Sequence, residues 1–551
     1  MSYIVKPPCD EAVIQTAPEH GSKDVKRATS AELVSSKSHT GTWVLVATIL
    51  GSSMAFIDGT VVNVALPVLQ TELHATATEV QWVVEAYSLF LAALILVGGS
   101  LGDHFGRRRI YSIGIMLFTL ASVFCGLAPN VSVLIIARAF QGVGGALLVP
   151  GSLAIISASF DSKQRGRAIG TWSGFTAITS AVGPVLGGLL VQYASWRWVF
   201  FINVPLAVIV LIVLFWRVPE SRNEALGGHA RLDWLGAFLA TLGLGGIVFG
   251  LIESNDLGFA NGLVLLSLIL GIAALLAFLL VEARSQSPML PLTLFHSRTF
   301  SGANVLTFLL YAALGASLFF LPFNLIRVQG YTPTEAGAAN LPLILLMFFL
   351  SRWSGGLVSR YGAKLPLIIG PLIAALGFAL FAVPGIGGSY WTTYFPAVVV
   401  LGIGMAVSVA PLTTAVMGAV DQQYVGTASG VNNAVSRTAG LIAIAVFGIV
   451  VLAVFSSSLV SHLSVVPVPA GVHQALIEQQ NKLVGIEIPA GVSTATHTAI
   501  QQAIAESFIT SFRVIMLIAS ALALCSSLSS LLLIEGKQPQ ADKKAPDGDP
   551  I

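Results

Sequence analysis

Three ionisable residues lie inside long apolar runs. They are Asp58 in FIDGTVVNVALP, Glu85 in QWVVEAYSLF and Arg138 in LIIARAFQGVGGA. Counted from the expected outer ends of their runs, they sit about 8, 5 and 7 residues deep, so Asp58 and Arg138 are ~10–12 Å down at 1.5 Å per residue. An isolated carboxylate at that depth is expensive, so it must be protonated or paired. Pairing with Arg138 holds Asp58 ionised, and displacing Arg138 lets Asp58 take a proton, which is the chemistry of a proton-coupled site. The competing reading is a static buried ion pair that fixes helix register. Glu85 is either a further titrating group and cation contact or a side chain solvated at the headgroups.

Other residues join this set by their placement. Arg437, with Asn432 and Asn433, falls deep in an apolar run, whereas Arg352 and Arg513 fall nearer expected helix ends, where they can snorkel. Phe308, Tyr311, Phe319, Phe320 and Phe323 crowd one run and face lipid, core or a cavity. Tyr311, Asn432, Arg437 and Glu85 are the candidate cavity residues. In GGSLGDHFGRRR, Gly99 and Gly106 allow close packing and a sharp turn, and Asp103 pairs with an adjacent Arg such as Arg107 or faces a helix N-terminus. Further on, Gly174, Gly183, Pro184, Gly187 and Gly188 give one helix a face of small residues and a bend. That face is either packing or a seal between two moving bodies.

No phosphate loop, H-E-x-x-H or G-x-S-x-G occurs, so ATP hydrolysis and the common hydrolytic chemistries are not expected, and energy must come from an ion gradient. Cys9, Cys125 and Cys525 are far apart and form no metal-ligand spacing. No enzyme activity, cofactor or metal is expected.

The elements that must position these residues follow from composition. Of 551 residues, 55% are hydrophobic and only 10% are charged. So few charges cannot cover the surface of a water-soluble fold. A net charge of +2 gives no field for a polyanion, so nucleic acid is excluded as a partner. Apolar runs long enough to cross a bilayer recur at 43–66, 80–102, 110–128, 131–157, 166–191, 198–216, 233–252, 262–281, 300–325, 336–358, 365–383, 391–417, 426–455 and 508–533. The expected class is an all-α polytopic membrane protein with 14 helices.

Lys and Arg concentrate in alternate loops. Arg107, Arg108, Arg109, Lys163, Arg165, Arg167, Arg217, Arg222, Arg231, Arg284, Arg298, Arg360 and Lys364 fall on one side, and only Arg197, Arg327 and Lys482 on the other. The positive-inside rule then places both termini in the cytoplasm. GSLGDHFGRR at Gly99 is echoed by GGLVSRYGAK at Gly355, with Ser359 in place of Asp103. The offset divides the chain into halves at 43–216 and 300–534, with two extra helices in 217–299. Parallel repeats of this kind occur in transporters. Residues 1–42 and 535–551 read as disordered tails, and 456–507 as an external loop with two helix-like stretches, around 472–483 and 496–507.

These residues resemble the major facilitator superfamily, and within it the 14-helix drug:H⁺ antiporter group typified by EmrB/QacA. FIDGTVVNVALP is similar to that group's first-helix motif, and GSLGDHFGRRR to the superfamily's motif in the loop after helix two. LIIARAFQGVGGA resembles the fourth-helix motif, SGFTAITSAVGPVLGG the antiporter motif of helix five, and WRWVFFINVP a further mark of the group. Glu85 departs from the group, where a neutral residue is commoner. The resemblance implies a major facilitator fold arranged 6 + 2 + 6 and alternating access by rocking of the halves. It implies proton coupling at Asp58 and Arg138, and stabilisation of the outward-facing state by Asp103 and Arg107. It also implies that Gly183, Pro184, Gly187 and Gly188 shape an interface that suppresses leak.

The expected function is proton-coupled export of hydrophobic, cationic drugs or toxic small molecules through a cell membrane. Export of an endogenous metabolite is the alternative, and a non-transporting receptor or scaffold is the rival from another class. The expected partners are the substrate, H⁺ and the lipid bilayer. A periplasmic adaptor subunit is left open.

Overall fold

The computed structural model describes residues 39–160, 162–222, 233–285, 288–421, 424–466, 468–489 and 491–535. Most of both expected tails lies outside these residues. Among the described residues, 14 helices are long and apolar enough to cross a membrane. In chain order the first are α1 (His39–Glu72), α2 (Ala77–Phe105), α3 (Arg107–Leu127), α4 (Val131–Ser159) and α5 (Ser162–Tyr193). A sixth span is built from α6 (Trp198–Phe201) and α7 (Asn203–Arg217), followed by α8 (Trp234–Leu257) and α9 (Gly262–Arg284). Next come α10 (Arg298–Phe323), the pair α11 (Pro333–Ala339) and α12 (Leu341–Tyr361), α13 (Lys364–Phe381) and α14 (Tyr390–Gly418). The chain ends with α15 (Val425–Leu463), the short α16 (Ala470–Glu478) and α17 (Thr494–Leu533).

Local sequence sets these ends. Thr76 and Glu79 form a capping box at the start of α2, and Thr332 and Glu335 another at α11. Asn130 caps α4, and Ser297 caps α10. Pro322 precedes a π-turn at Asn324–Val328, where the backbone of α10 loses its regular register.

Three expected boundaries move. His39–Thr42 already belong to α1, so the tail is shorter than 1–42. The expected loop 456–507 is largely helical. α15 runs on to Leu463, and the stretch around 496–507 is the first part of α17 rather than a separate helix. At 39 and 40 residues these helices are ~60 Å long at 1.5 Å per residue, about twice a bilayer's apolar thickness. Polar sequence outside the bilayer hid the continuity. α1 also extends further than expected, so Asp58 lies 14 residues from its end at Glu72.

α8 and α9 form a hairpin packed against α2 and α15. Leu244, Val248 and Ile252 of α8 bury with Leu89 and Ala93 of α2 and Leu441 and Ala445 of α15. Trp82 Nε1 donates to Glu253 at 2.8 Å in the same place. A different set of contacts closes the side that the Lys and Arg distribution assigns to the exterior. Arg327 Nη2 donates at 2.7 Å both to the Pro67 carbonyl and to Thr71 Oγ1. The segment between α15 and α17 straps over α1 and α8. Gln70 donates to the Lys482 carbonyl at 3.1 Å, His74 meets Glu487 at 3.2 Å, and Asn481 donates to Asp256 at 3.3 Å. Towards the opposite side, an added Cβ at Gly170, Gly355, Gly418 or Gly426 would meet nothing within 4 Å.

Candidate functional site: a buried ion pair between α1 and α4

Asp58, mid-helix in α1, is fully buried, and Arg138, in the second turn of α4, is 1% exposed. The two side chains pair directly through Arg138 Nη1 and Asp58 Oδ2. Gln141, three residues after Arg138 and so on the same helix face, closes the network. Its Nε2 donates to Asp58 Oδ1 at 2.7 Å, and its Oε1 accepts from Arg138 Nη1 at 2.8 Å. Arg138 Nε donates to the Val83 carbonyl at 2.9 Å, and the guanidinium lies 4.3 Å from the centre of the Tyr87 ring. Asn203, at the start of α7, donates to Ser122 Oγ at 2.9 Å and approaches Asp58 Oδ1 at 3.5 Å. Both carboxylate oxygens therefore have donors. Gln141, Asn203 and Ser122 were missed in the sequence. For Gln141 the signal was its one-turn spacing from Arg138.

The other expected residues divide. Glu85 is fully buried, so it is not solvated at the headgroups. Neither of its carboxyl oxygens has a hydrogen-bond partner among the described residues. Arg437 is half-buried in α15, within electrostatic reach of Tyr87. Asn432 fits a cavity role less well. Its amide donates to Thr307 at 2.7 Å and Asn304 at 3.1 Å, tying α15 to α10. Tyr311, one turn beyond Thr307, is half-buried against the core. Arg513 is not near a helix end, because α17 starts at Thr494, and it donates to the Pro384 carbonyl at 3.3 Å.

At the α2–α3 turn, Gly106 has φ +110°, which favours glycine. Asp103 pairs with Arg107 at 2.7 Å. The anion at the N-terminus of α3 is not Asp103 but Glu220, which sequence reading missed. Glu220 accepts from the backbone N–H of Arg108 at 2.9 Å and of Arg109 at 3.1 Å. Glu220→Ala removes this cap and should cost about 1–2 kcal/mol. The expected result is a lower thermal-unfolding midpoint in detergent, with a smaller loss for Glu220→Gln, which keeps an acceptor.

The helix-five glycines serve two surfaces. A Cβ on Gly187 would press on Val61 at 3.1 Å, and one on Gly183 would meet Thr60, so these two pack against α1. Gly188 and Pro184 instead face α11. A Cβ on Gly188 would meet the Pro333 carbonyl and Thr334 Cα, and one on Gly337 would meet the Pro184 carbonyl. Gly174 sits apart, 4.0 Å from Phe348 of α12 by the same measure.

The sequence profile of the Major Facilitator Superfamily matches residues 48–444. The chain is 35% identical over 490 residues to the multidrug resistance protein Stp of Mycobacterium tuberculosis, covering 87% of this chain and 89% of that protein. It is 30% identical over 514 residues to the tetracenomycin C resistance and export protein of Streptomyces glaucescens, covering 92% and 94%. The fold is similar to that of a bacterial homologue of the human lysosomal transporter Spinster, at TM-score 0.59 and 19% identity over 90% of this chain and 98% of that one. It is also similar to a peptide transporter, at TM-score 0.56 and 15% identity over 90% and 98%. A profile match across most of the spanning region, together with relatives matched nearly end to end, assigns this chain to the Major Facilitator Superfamily.

Proposed function

We propose that this protein exports hydrophobic small molecules toxic to the cell in exchange for protons, by alternating access across a cell membrane, with both termini in the cytoplasm. The observation that carries this reading is the Asp58–Arg138–Gln141 network, which places an acid, its counter-charge and a shared amide in the interior of the first bundle. Asp58 is the proton carrier. Paired with Arg138 it is ionised, and separated from Arg138 in an apolar site it binds a proton. Glu85 is a second candidate carrier. Asp103 and Arg107 hold the α2–α3 turn on which the first half moves. The resistance named for both relatives supports drugs as the substrate class. The word export in the name of the second supports a further reading, in which the cargo is a metabolite of the same cell.

Everted membrane vesicles test the exchange. With an acidic interior established by respiration, adding a transported drug should release protons, read as recovery of acridine orange fluorescence. Vesicles that accumulate the drug with no proton release would overturn proton exchange.

A further inference from the structure

Among the described residues, Glu85 of α2 and Arg437 of α15 are oppositely charged types on neighbouring helices, and neither has an ion partner. Asp58 and Arg138 neutralise each other. Glu85 has two buried oxygens without a partner, and Arg437 makes no hydrogen bond or ion pair among the described residues.

The two belong to facing stripes. α2 and α15 run antiparallel, with Leu96 against Gly430 at one end and Gln81 against Gly448 at the other. Glu85 lies between Gln81 and Leu96, one turn from Gln81 and from Leu89, and Leu89 packs with Leu441. Arg437 lies between Gly430 and Gly448, one turn from Leu441. Residues three, four or seven apart share a helix face, so both side chains belong to the α2–α15 seam. The residue opposite Glu85 falls near 442–443, which leaves Arg437 ~8 Å further along the seam at 1.5 Å per residue. α10 supplies the third wall. Thr307 bonds Asn432, and Gly315 meets Gly440, both at an offset of 125 residues, so Tyr311 is level with Ser436 and Arg437.

We propose that Glu85 and Arg437 are the two charge contacts of the transported molecule, and that the preferred substrates are amphiphiles carrying both a cationic and an anionic group. The cationic end meets Glu85 on the first half, the anionic end meets Arg437 on the second, and the apolar body lies along the seam against Tyr311. A molecule bearing only a cation makes the Glu85 contact alone, and one bearing only an anion makes the Arg437 contact alone, so each lacks one of the two charge contacts. Opening the outer contacts uncovers Glu85, so capture of the cationic end is tied to the state of the halves. This assignment rests on the exporter reading above.

Tetramethylrhodamine and its methyl ester separate the possibilities. The first is a zwitterion, and the second, with the carboxylate masked, is a cation of nearly the same shape. Binding to purified protein is measured by fluorescence polarisation, and transport in proteoliposomes under a pH gradient. The wild type should bind the zwitterion more tightly than the ester. Arg437→Gln should weaken the zwitterion at least about tenfold with little effect on the ester, as expected for loss of a bond to a charged group. Arg437→Lys should recover most of that preference. Glu85→Gln should weaken both probes, which share the same cation. Equal loss of both probes in Arg437→Gln, or wild-type preference for the ester, would overturn the proposal. Binding with this charge pattern but no transport would overturn the exporter reading and leave the charge contacts standing.

Discussion

Asp58→Asn is expected to abolish efflux driven by a pH gradient while the protein still reaches the membrane. Asn has nearly the same shape, but only one of its two terminal atoms is an acceptor, so it can accept from Arg138 or from Gln141 and not from both as Asp58 does; it also carries no charge and takes no proton. Arg138, 1% exposed, is then a buried cation without its counter-ion. Removing one partner of such a pair costs about 3–5 kcal/mol, equivalent to a population shift of about 10²–10⁴-fold away from this packing. The coupled cycle fails for two reasons: the Arg138 partner no longer titrates, and the state in which Arg138 is enclosed is depopulated. Adding Arg138→Gln to the variant should restore thermal stability, because the unpaired charge is gone, yet leave gradient-driven efflux absent. Wild-type efflux in Asp58→Asn vesicles would remove Asp58 from coupling. Stability unchanged in the single variant would show that Arg138 finds another partner.

The sequence carried this pair further than it carried the pair's surroundings. Asp58 and Arg138 stand out because ionisable residues are rare in apolar runs, and their similar depth follows from counting along helices. The polar partners are less visible. Gln141 and Asn203 are uncharged, occur often in polar stretches, and become partners only when α1, α4 and α7 converge. Glu220 lies more than a hundred residues from the α3 N-terminus that it caps, and no local pattern links the two. Membrane spans were legible because length and hydropathy suffice. The ends of α15 and α17 were not, because outside the bilayer a helix needs no apolar composition to continue. The glycines of helix five showed where helices approach closely. They did not show that Gly183 and Gly187 approach α1 while Gly188 approaches α11, since a stripe of small residues has no signature for its neighbour.

That division of the glycines predicts opposite outcomes for substitutions a few residues apart. Gly187→Leu presses on Val61 inside the first bundle, where neither helix can retreat without loosening the bundle. Overpacking of this kind costs about 1–3 kcal/mol and should appear as lower stability. Gly337→Leu and Gly188→Leu press instead on backbone across the α5–α11 contact, at Pro184 and at Pro333–Thr334. Here the clash is relieved if the two halves separate on the outer side, a motion that the outer polar contacts of Arg327 and Gln70 oppose only with a few hydrogen bonds. The same 1–3 kcal/mol then appears as a conformational shift of about 5–150-fold for each substitution, with stability little changed. Spin labels at Tyr193 and Val383, both well exposed at the outer ends of α5 and α13, report the change. Their separation should lengthen in Gly337→Leu and Gly188→Leu and stay at the wild-type value in Gly187→Leu. Substrate export should fall in all three, but only the first two should admit a membrane-impermeant thiol reagent to a cysteine placed at Leu321, buried near the outer end of α10. If Gly337→Leu lowers the unfolding midpoint as much as Gly187→Leu and leaves the label distance unchanged, the α5–α11 contact is fixed packing and the outer side opens elsewhere.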